Sequence, residues 1–145
     1  MTERAARILL MCESEKEAAS RSGQLALAGW AVVCVCDHIE AFAAVRGTGV
    51  DVAVLHMPVA DMESMDLPNV LRRIGPADYL PVVSLAPTPA EEQKCRYYDS
   101  GADDVIACAT SGTEMVSRIG ALLRVKRLHD ELAASRAALQ EALRR

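Results

Sequence analysis

Aromatic residues are nearly missing from this chain: one Trp, three Tyr and one Phe among 145 residues. A core must then come from Ala, Val, Leu and Ile, and the 51% hydrophobic content is enough to supply one. That content excludes intrinsic disorder. No apolar run reaches the roughly 18 residues of a membrane span. The start, Met1-Thr2-Glu3-Arg4, is charged and leads into a short apolar run. It lacks the long apolar region and small-residue cleavage site of a signal peptide, so a cytoplasmic location is expected. A basic excess is also lacking, since 16 Lys and Arg stand against 20 Asp and Glu for a net charge of -4. Free-standing nucleic-acid binders are usually basic, so direct nucleic-acid binding is not expected. The five cysteines are odd in number and irregular in spacing, which argues against a disulfide framework. In the cytoplasm they would be reduced. There is no Gly-rich phosphate loop, nucleophile elbow or catalytic-triad spacing, so the reading is non-enzymatic and calls for no cofactor.

What is present is an alternation of short apolar runs and helical stretches. Arg7 to Cys12 reads as a buried strand. Ser14 followed by Glu17 is a capping box that opens a helix over about 15–28, with Leu25 and Ala28 on its inner face and Gly29 as its stop. Ala31 to Cys36 is a second strand, in which Cys34 and Cys36 read as structural. Asp37 and Glu40 repeat the capping signal for a short helix ending at Arg46. Asp51 to His56 is a third strand, followed by an irregular stretch from Met57 to Met65 and a helix over about 66–74. Pro81 to Leu85 is a fourth strand, and the helix after Pro89 runs to Ser100 and stops at Gly101. Asp104 to Ala107 is a short fifth strand, and Ser111 with Glu114 caps a last helix that continues to Arg145. Five strands alternating with five helices predict an α/β fold. Right-handed crossovers make it a doubly wound, flavodoxin-like, five-stranded parallel sheet of order 2-1-3-4-5. Sites in such sheets lie at the carboxyl ends of the strands, here Cys12-Glu13, His56, Leu85-Ala86 and Ala107-Cys108.

The last helix is too long for the domain. From residue 112 it has roughly 33 residues, or about 50 Å. Val125, Leu128, Leu132, Ser135, Leu139 and Ala142 alternate at three- and four-residue spacing, a heptad seam. Residues 124–145 carry six Lys or Arg against three Asp or Glu. The seam predicts a parallel coiled-coil homodimer through Val125, Leu128, Leu132 and Leu139, on an extension over 125–145 that follows a domain over 1–124. Helices of this kind commonly lead from one domain to the next.

Four segments carry a family resemblance. Ile8-Leu9-Leu10-Met11-Cys12-Glu13, Asp51-Val52-Ala53-Val54-Leu55-His56, Pro81-Val82-Val83-Ser84-Leu85-Ala86 and Ser100-Gly101-Ala102-Asp103-Asp104-Val105-Ile106 resemble the receiver domain of two-component response regulators. The resemblance covers residues 5 to about 125, and Ser-Gly-Ala-Asp-Asp is its most specific piece. It implies two acidic residues after the first strand that bind magnesium and an acceptor aspartate ending the third. It also implies a Thr or Ser ending the fourth strand and a Lys ending the fifth. Phosphoryl transfer needs those groups: a carboxylate nucleophile, a hard cation on oxygen ligands and a positive group on the developing charge. Those positions read Cys12-Glu13, His56, Ala86 and Cys108, with Ser84 two residues before Ala86. One carboxylate of the acidic pair survives, and the acceptor and lysine are gone. The expectation is a degenerate phosphorylation site in a pseudo-receiver. His56 and the loop residue Asp61 are the only substitute acceptors to weigh.

The function expected is a phosphorylation-independent module for dimerisation and protein interaction in two-component signalling, its partners a histidine kinase or a downstream output domain. A stand-alone adaptor for a histidine kinase or regulator is one alternative. A second is a metal or redox sensor, since Cys12, His56 and Cys108, with Glu13, gather zinc-ligand types at one end of the sheet. Against it, free Cys behaves as a small hydrophobe that fills space, and no metal is assigned. Trp30, Tyr97 and Tyr98 read as packing residues, with Tyr98 or Val105 available to the face that similar receivers use for dimers.

Overall fold

The β-branched and Leu-rich runs do become strands. The computed structural model describes residues 4–47, 49–76 and 79–145; the charged start over 1–3 lies outside the described residues. The strands are β1 (Arg7–Met11), β2 (Ala31–Val35), β3 (Val52–His56), β4 (Val82–Ala86) and β5 (Asp104–Ala107). They form a parallel sheet of order β2-β1-β3-β4-β5, as the βαβ alternation predicts. β3 and β4 are read as uninterrupted apolar runs because helices cover both of their faces. Leu55 and His56 pair in register with Ser84 and Leu85, and Ser84 pairs in turn with Val105.

Among the described residues the helices number six, not five: α1 (Glu15–Leu27), α2 (His38–Gly47), α3 (Val59–Met65), α4 (Leu67–Ile74), α5 (Glu91–Asp99) and α6 (Gly112–Leu143). The stretch expected to be irregular, Met57 to Met65, contains α3. Seven residues are too few to display a helical period, yet Val59 and Met62, three apart, are both buried. Asp66 separates α3 from α4 in a left-handed conformation (φ 50°), and its Oδ1 accepts a bond from Asn69 Nδ2 at 2.8 Å. The three capping signals hold. Ser14 Oγ, Asp37 Oδ1 and Ser111 Oγ accept from the backbone N–H of Glu17, Glu40 and Glu114. Ala28, expected on the inner face of α1, is instead its exposed C-cap. Cys34 and Cys36 are exposed and do not pack.

Two apolar clusters sandwich the sheet. Leu9, Leu55, Val82 and Val105 face Ala41, Val45, Met62, Leu67, Leu71 and Tyr97 of α2 to α5. Ile8, Leu10, Val54, Leu85 and Ile106 face Leu25 of α1 with Met115 and Ile119 of α6. Val105 is therefore core, not an interface residue, whereas Tyr98 is exposed. The turn from α5 into β5 requires glycine. Gly101 has φ +110°, and a Cβ there would lie 3.1 Å from Pro68 Cβ and 3.2 Å from Arg72 Nη1. Next to it, Asp103 accepts from Arg72 Nη2 (2.7 Å), Tyr79 OH (3.0 Å) and the Val82 N–H (2.8 Å). Asp104 accepts from Arg118 Nη2 (2.8 Å) and so ties β5 to α6.

The 32 residues of α6 span about 48 Å. Its contacts with the domain continue past Val125. Lys126 is buried and its Nζ sits 2.6 Å from Asp130 Oδ1, while His129 stacks on Tyr79 with ring centroids 4.2 Å apart. Between and beyond them Leu128, Leu132 and Leu139 are 64%, 57% and 62% exposed.

Candidate functional site

A cleft of about 570 Å³ opens at the carboxyl ends of the strands, with Glu13, Glu17, His56, Met57, Thr88 and Tyr97 among its lining. Three elements converge on it. Ser14 fixes the start of α1, which puts Glu17 in the first turn, where the helix dipole favours a carboxylate. β3 delivers His56 as its last residue. The turn after β5 delivers Cys108, whose N–H is bonded to the Ala86 carbonyl at 2.7 Å.

These side chains form a network. Glu17 Oε2 lies 2.9 Å from His56 Nδ1, and His56 Nε2 lies 3.6 Å from Cys108 Sγ. Arg21, one turn along α1, holds the other Glu17 oxygen, with Nη2 and Nε at 2.9 and 3.3 Å from Oε1. Its Nη2 also reaches the Cys108 carbonyl at 3.4 Å. The carboxylate on Nδ1 fixes the ring so that Nε2 is turned to the thiol. Burial pushes the Cys108 thiol up; Arg21 opposes that and Glu17 adds to it. Burial also pushes Cys12 up to about 11, and Glu17 reinforces the effect. Both thiols are therefore protonated at neutral pH.

The residues expected at the site separate into two groups. His56 and Cys108 meet. Cys12 is buried in the core cluster under α1 and α6, outside the group of metal-ligating side chains, and Glu13 is exposed at the cleft mouth. Ala86 is buried. The Ser84 hydroxyl is fully buried without a hydrogen-bond partner, so it faces the core and not the cleft. Asp61 lies in α3, not in a loop. Sequence reasoning missed three contributors: Glu17, taken only as a capping residue, Arg21, and Tyr97, whose hydroxyl donates to the Met57 carbonyl at 3.0 Å in the cleft wall. The Glu17–Arg21 spacing of four residues was the available signal. A hard cation such as magnesium takes oxygen ligands. The donors gathered here are an imidazole, a thiol and one carboxylate already shared by two partners, and that set does not fit magnesium.

No protein-family model matches the chain. It is 35% identical over 96 residues to the Probable transcriptional regulatory protein TcrX of Mycobacterium tuberculosis, covering 66% of this chain and 40% of that protein. It is 27% identical over 133 residues to the Response regulator MprA of Mycobacterium ulcerans, covering 92% of this chain and 56% of that one. The chain thus spans about half the length, or less, of these curated relatives. Among solved structures, a CheY-like response regulator receiver domain protein from Methanospirillum hungatei superposes with a TM-score of 0.72 at 18% identity, covering 86% of this chain and 98% of that one. The 2-1-3-4-5 sheet, the crossover helices and these sequence relationships make this chain a response regulator receiver domain of the CheY-like type.

Proposed function

We propose that this receiver domain works without aspartyl phosphorylation, as a dimerising, protein-interaction input module of two-component signalling. The observation that carries the reading is His56. It ends β3, where the resemblance calls for an acceptor carboxylate, and is bound on Nδ1 by Glu17 with Cys108 beside Nε2. In a phosphorylated receiver the phosphoryl group shifts a two-state equilibrium only through contacts that differ between the states. Ala86 and Cys108 offer neither the hydroxyl nor the ammonium for such contacts. Cys12, Glu13, His56, Ala86 and Cys108 together are a degenerate phosphorylation site.

The proposed output route is α6. Receiver domains work with histidine kinases and output domains, and the curated relatives are longer regulators. Residues 125–145 would pair in parallel with a second copy through Val125, Leu128, Leu132 and Leu139, passing helix register to whatever the dimer engages. The exposed leucine stripe supports this, and Lys126 with the His129–Tyr79 stack would fix the direction in which the helix leaves residues 1–124.

The decisive experiment is exposure of the full chain to acetyl phosphate with magnesium, read by intact mass. An unchanged mass is expected. A gain of one phosphate, mapped to His56 or Asp61, would overturn the reading.

A further inference from the structure

Glu17, His56 and Cys108 come from α1, β3 and the turn after β5, and their donor atoms lie within 4.8 Å of one another. All three are half-buried; Glu17 and His56 line the open cleft, and Cys108 packs behind His56 at the edge of the apolar cluster under α1 and α6. We propose that these three side chains bind a borderline-soft divalent cation of the zinc class, leaving a fourth position open to the cleft. The site is independent of the phosphorylation reading, because neither its formation nor its test involves phosphate.

Distances support the assignment. Zinc bonds nitrogen at about 2.0–2.1 Å and thiolate sulfur at about 2.3 Å, so a tetrahedral N–Zn–S pair has its two donors about 3.6 Å apart. His56 Nε2 and Cys108 Sγ are 3.6 Å apart. The imidazole and thiol thus already stand at ligand spacing. Arg21 grips Glu17 Oε1 and leaves Oε2 as the third donor. On binding, the Glu17 carboxylate turns from Nδ1 towards the ion at Nε2, and Arg21 follows it as an outer-shell partner.

The chemistry favours this ion class over others. One thiolate, one imidazole and one carboxylate match zinc, whereas calcium and magnesium demand oxygens throughout. The charges nearly offset. Cys108 loses its proton to solvent when the ion binds, and thiolate plus carboxylate then match the dication, with Arg21 leaving the cluster one positive charge. Arg21 also bonds the Cys108 carbonyl, in the turn that leads four residues later into α6. An ion at this site would consequently clamp α1, β3 and the root of α6 together.

Cobalt(II), a spectroscopic stand-in for zinc, tests the site on the chelator-stripped full chain under a non-thiol reductant. The expected result is a thiolate-to-cobalt charge-transfer absorption that saturates at one ion per chain and is displaced by equimolar zinc. Cys108→Ser should abolish it. Glu17→Gln removes a ligand and should weaken binding by at least the roughly tenfold lost with an outer-shell partner, with an unchanged circular-dichroism spectrum. The exposed Cys34, Cys36 and Cys95 are competing thiols, so a chain with all three changed to Ser should keep the absorption. Absence of the band at millimolar cobalt, or a band that survives Cys108→Ser and vanishes with the exposed cysteines, would overturn the assignment.

Discussion

Leu128→Lys with Leu132→Lys is the sharpest perturbation of the proposed dimer. Leu128 and Leu132 are 64% and 57% exposed in the single chain. Fully burying a Leu contributes about 1.5–3 kcal/mol, so covering the exposed three-fifths contributes about 1–2 kcal/mol each. A parallel pair presents each residue twice, and the double substitution therefore forfeits about 4–8 kcal/mol of association free energy. At 1.4 kcal/mol per tenfold, that weakens the dimer by at least about a thousandfold. Both positions lie outside the two core clusters, so the melting temperature of the domain should stay unchanged at concentrations where the chain is monomeric. Sedimentation equilibrium over tens to hundreds of micromolar is the assay. Residues 124–145 carry a net +3, six Lys or Arg against three Asp or Glu. Parallel pairing brings these like charges together, and added salt, which screens them, should strengthen the dimer. A native chain that remains monomeric at hundreds of micromolar, or a dimer indifferent to both lysines, refutes the seam.

Four further outcomes follow from the geometry. Asp103→Ala strands the Tyr79 hydroxyl and the Val82 N–H and takes from Arg72 its carboxylate, leaving it the Leu80 carbonyl; urea unfolding should show a loss of about 2–4 kcal/mol, and a loss under about 1 kcal/mol would dismiss Asp103 as a hub. Ser84→Ala removes a buried hydroxyl with no partner and should raise stability by about 1 kcal/mol in the same assay, whereas an equal loss would mean that the hydroxyl is satisfied. Burial, then the Asp103 carboxylate, push Tyr79 up to about 12. A raised folded value favours the neutral phenol, so this stabilisation is complete below about pH 10 and is lost as pH rises towards 12; Tyr79→Phe should flatten that limb of the stability profile. Finally, a chromogenic thiol reagent should titrate Cys34, Cys36 and Cys95 quickly and Cys12 and Cys108 slowly in the native chain, and five equally fast thiols would contradict the burial.

Why the sheet was legible and the site only partly so is clear from Glu17 and Glu40. Both stand three residues after a capping residue. Glu40 uses its carboxylate as a capping box would, turning back to accept the Cys36 N–H at 2.8 Å. Glu17 has the same backbone bond to its cap, yet its carboxylate turns towards Arg21 and His56. Local spacing is identical in the two cases. The difference is a histidine 39 positions away, and only the fold brings it near. Cys12 failed in the opposite direction: it ends a strand at the correct edge of the sheet, but its side chain points into the cluster under α1 and α6. Strand-end position was readable; which face each end residue takes, and what α1 adds from above, was not. The strands themselves were readable because continuous Val, Leu and Ile runs have few other uses in a chain this poor in aromatics. α3 was missed because two buried side chains in seven residues make no period.

The residues that carry the family resemblance and those that depart from it differ in their partners. Ser100, Gly101, Asp103 and Asp104 are held by bonds inside the scaffold: the Ser100 hydroxyl donates to the Arg96 carbonyl, Gly101 has no room for a side chain, and the two aspartates bind Arg72 and Arg118. A change at either aspartate would leave an arginine without its carboxylate, and a side chain at Gly101 would meet Pro68 and Arg72. His56, at the end of β3, faces a cleft instead, where a substitution is tolerated once its polar atoms find partners. His56 and Cys108 have found them in Glu17, Arg21 and each other. A receiver scaffold can therefore stay intact with a histidine and a cysteine at these positions. The new network still ends on the turn that starts α6. Whatever biases it, a cation or a docked partner, acts at the root of the helix with the exposed leucine stripe.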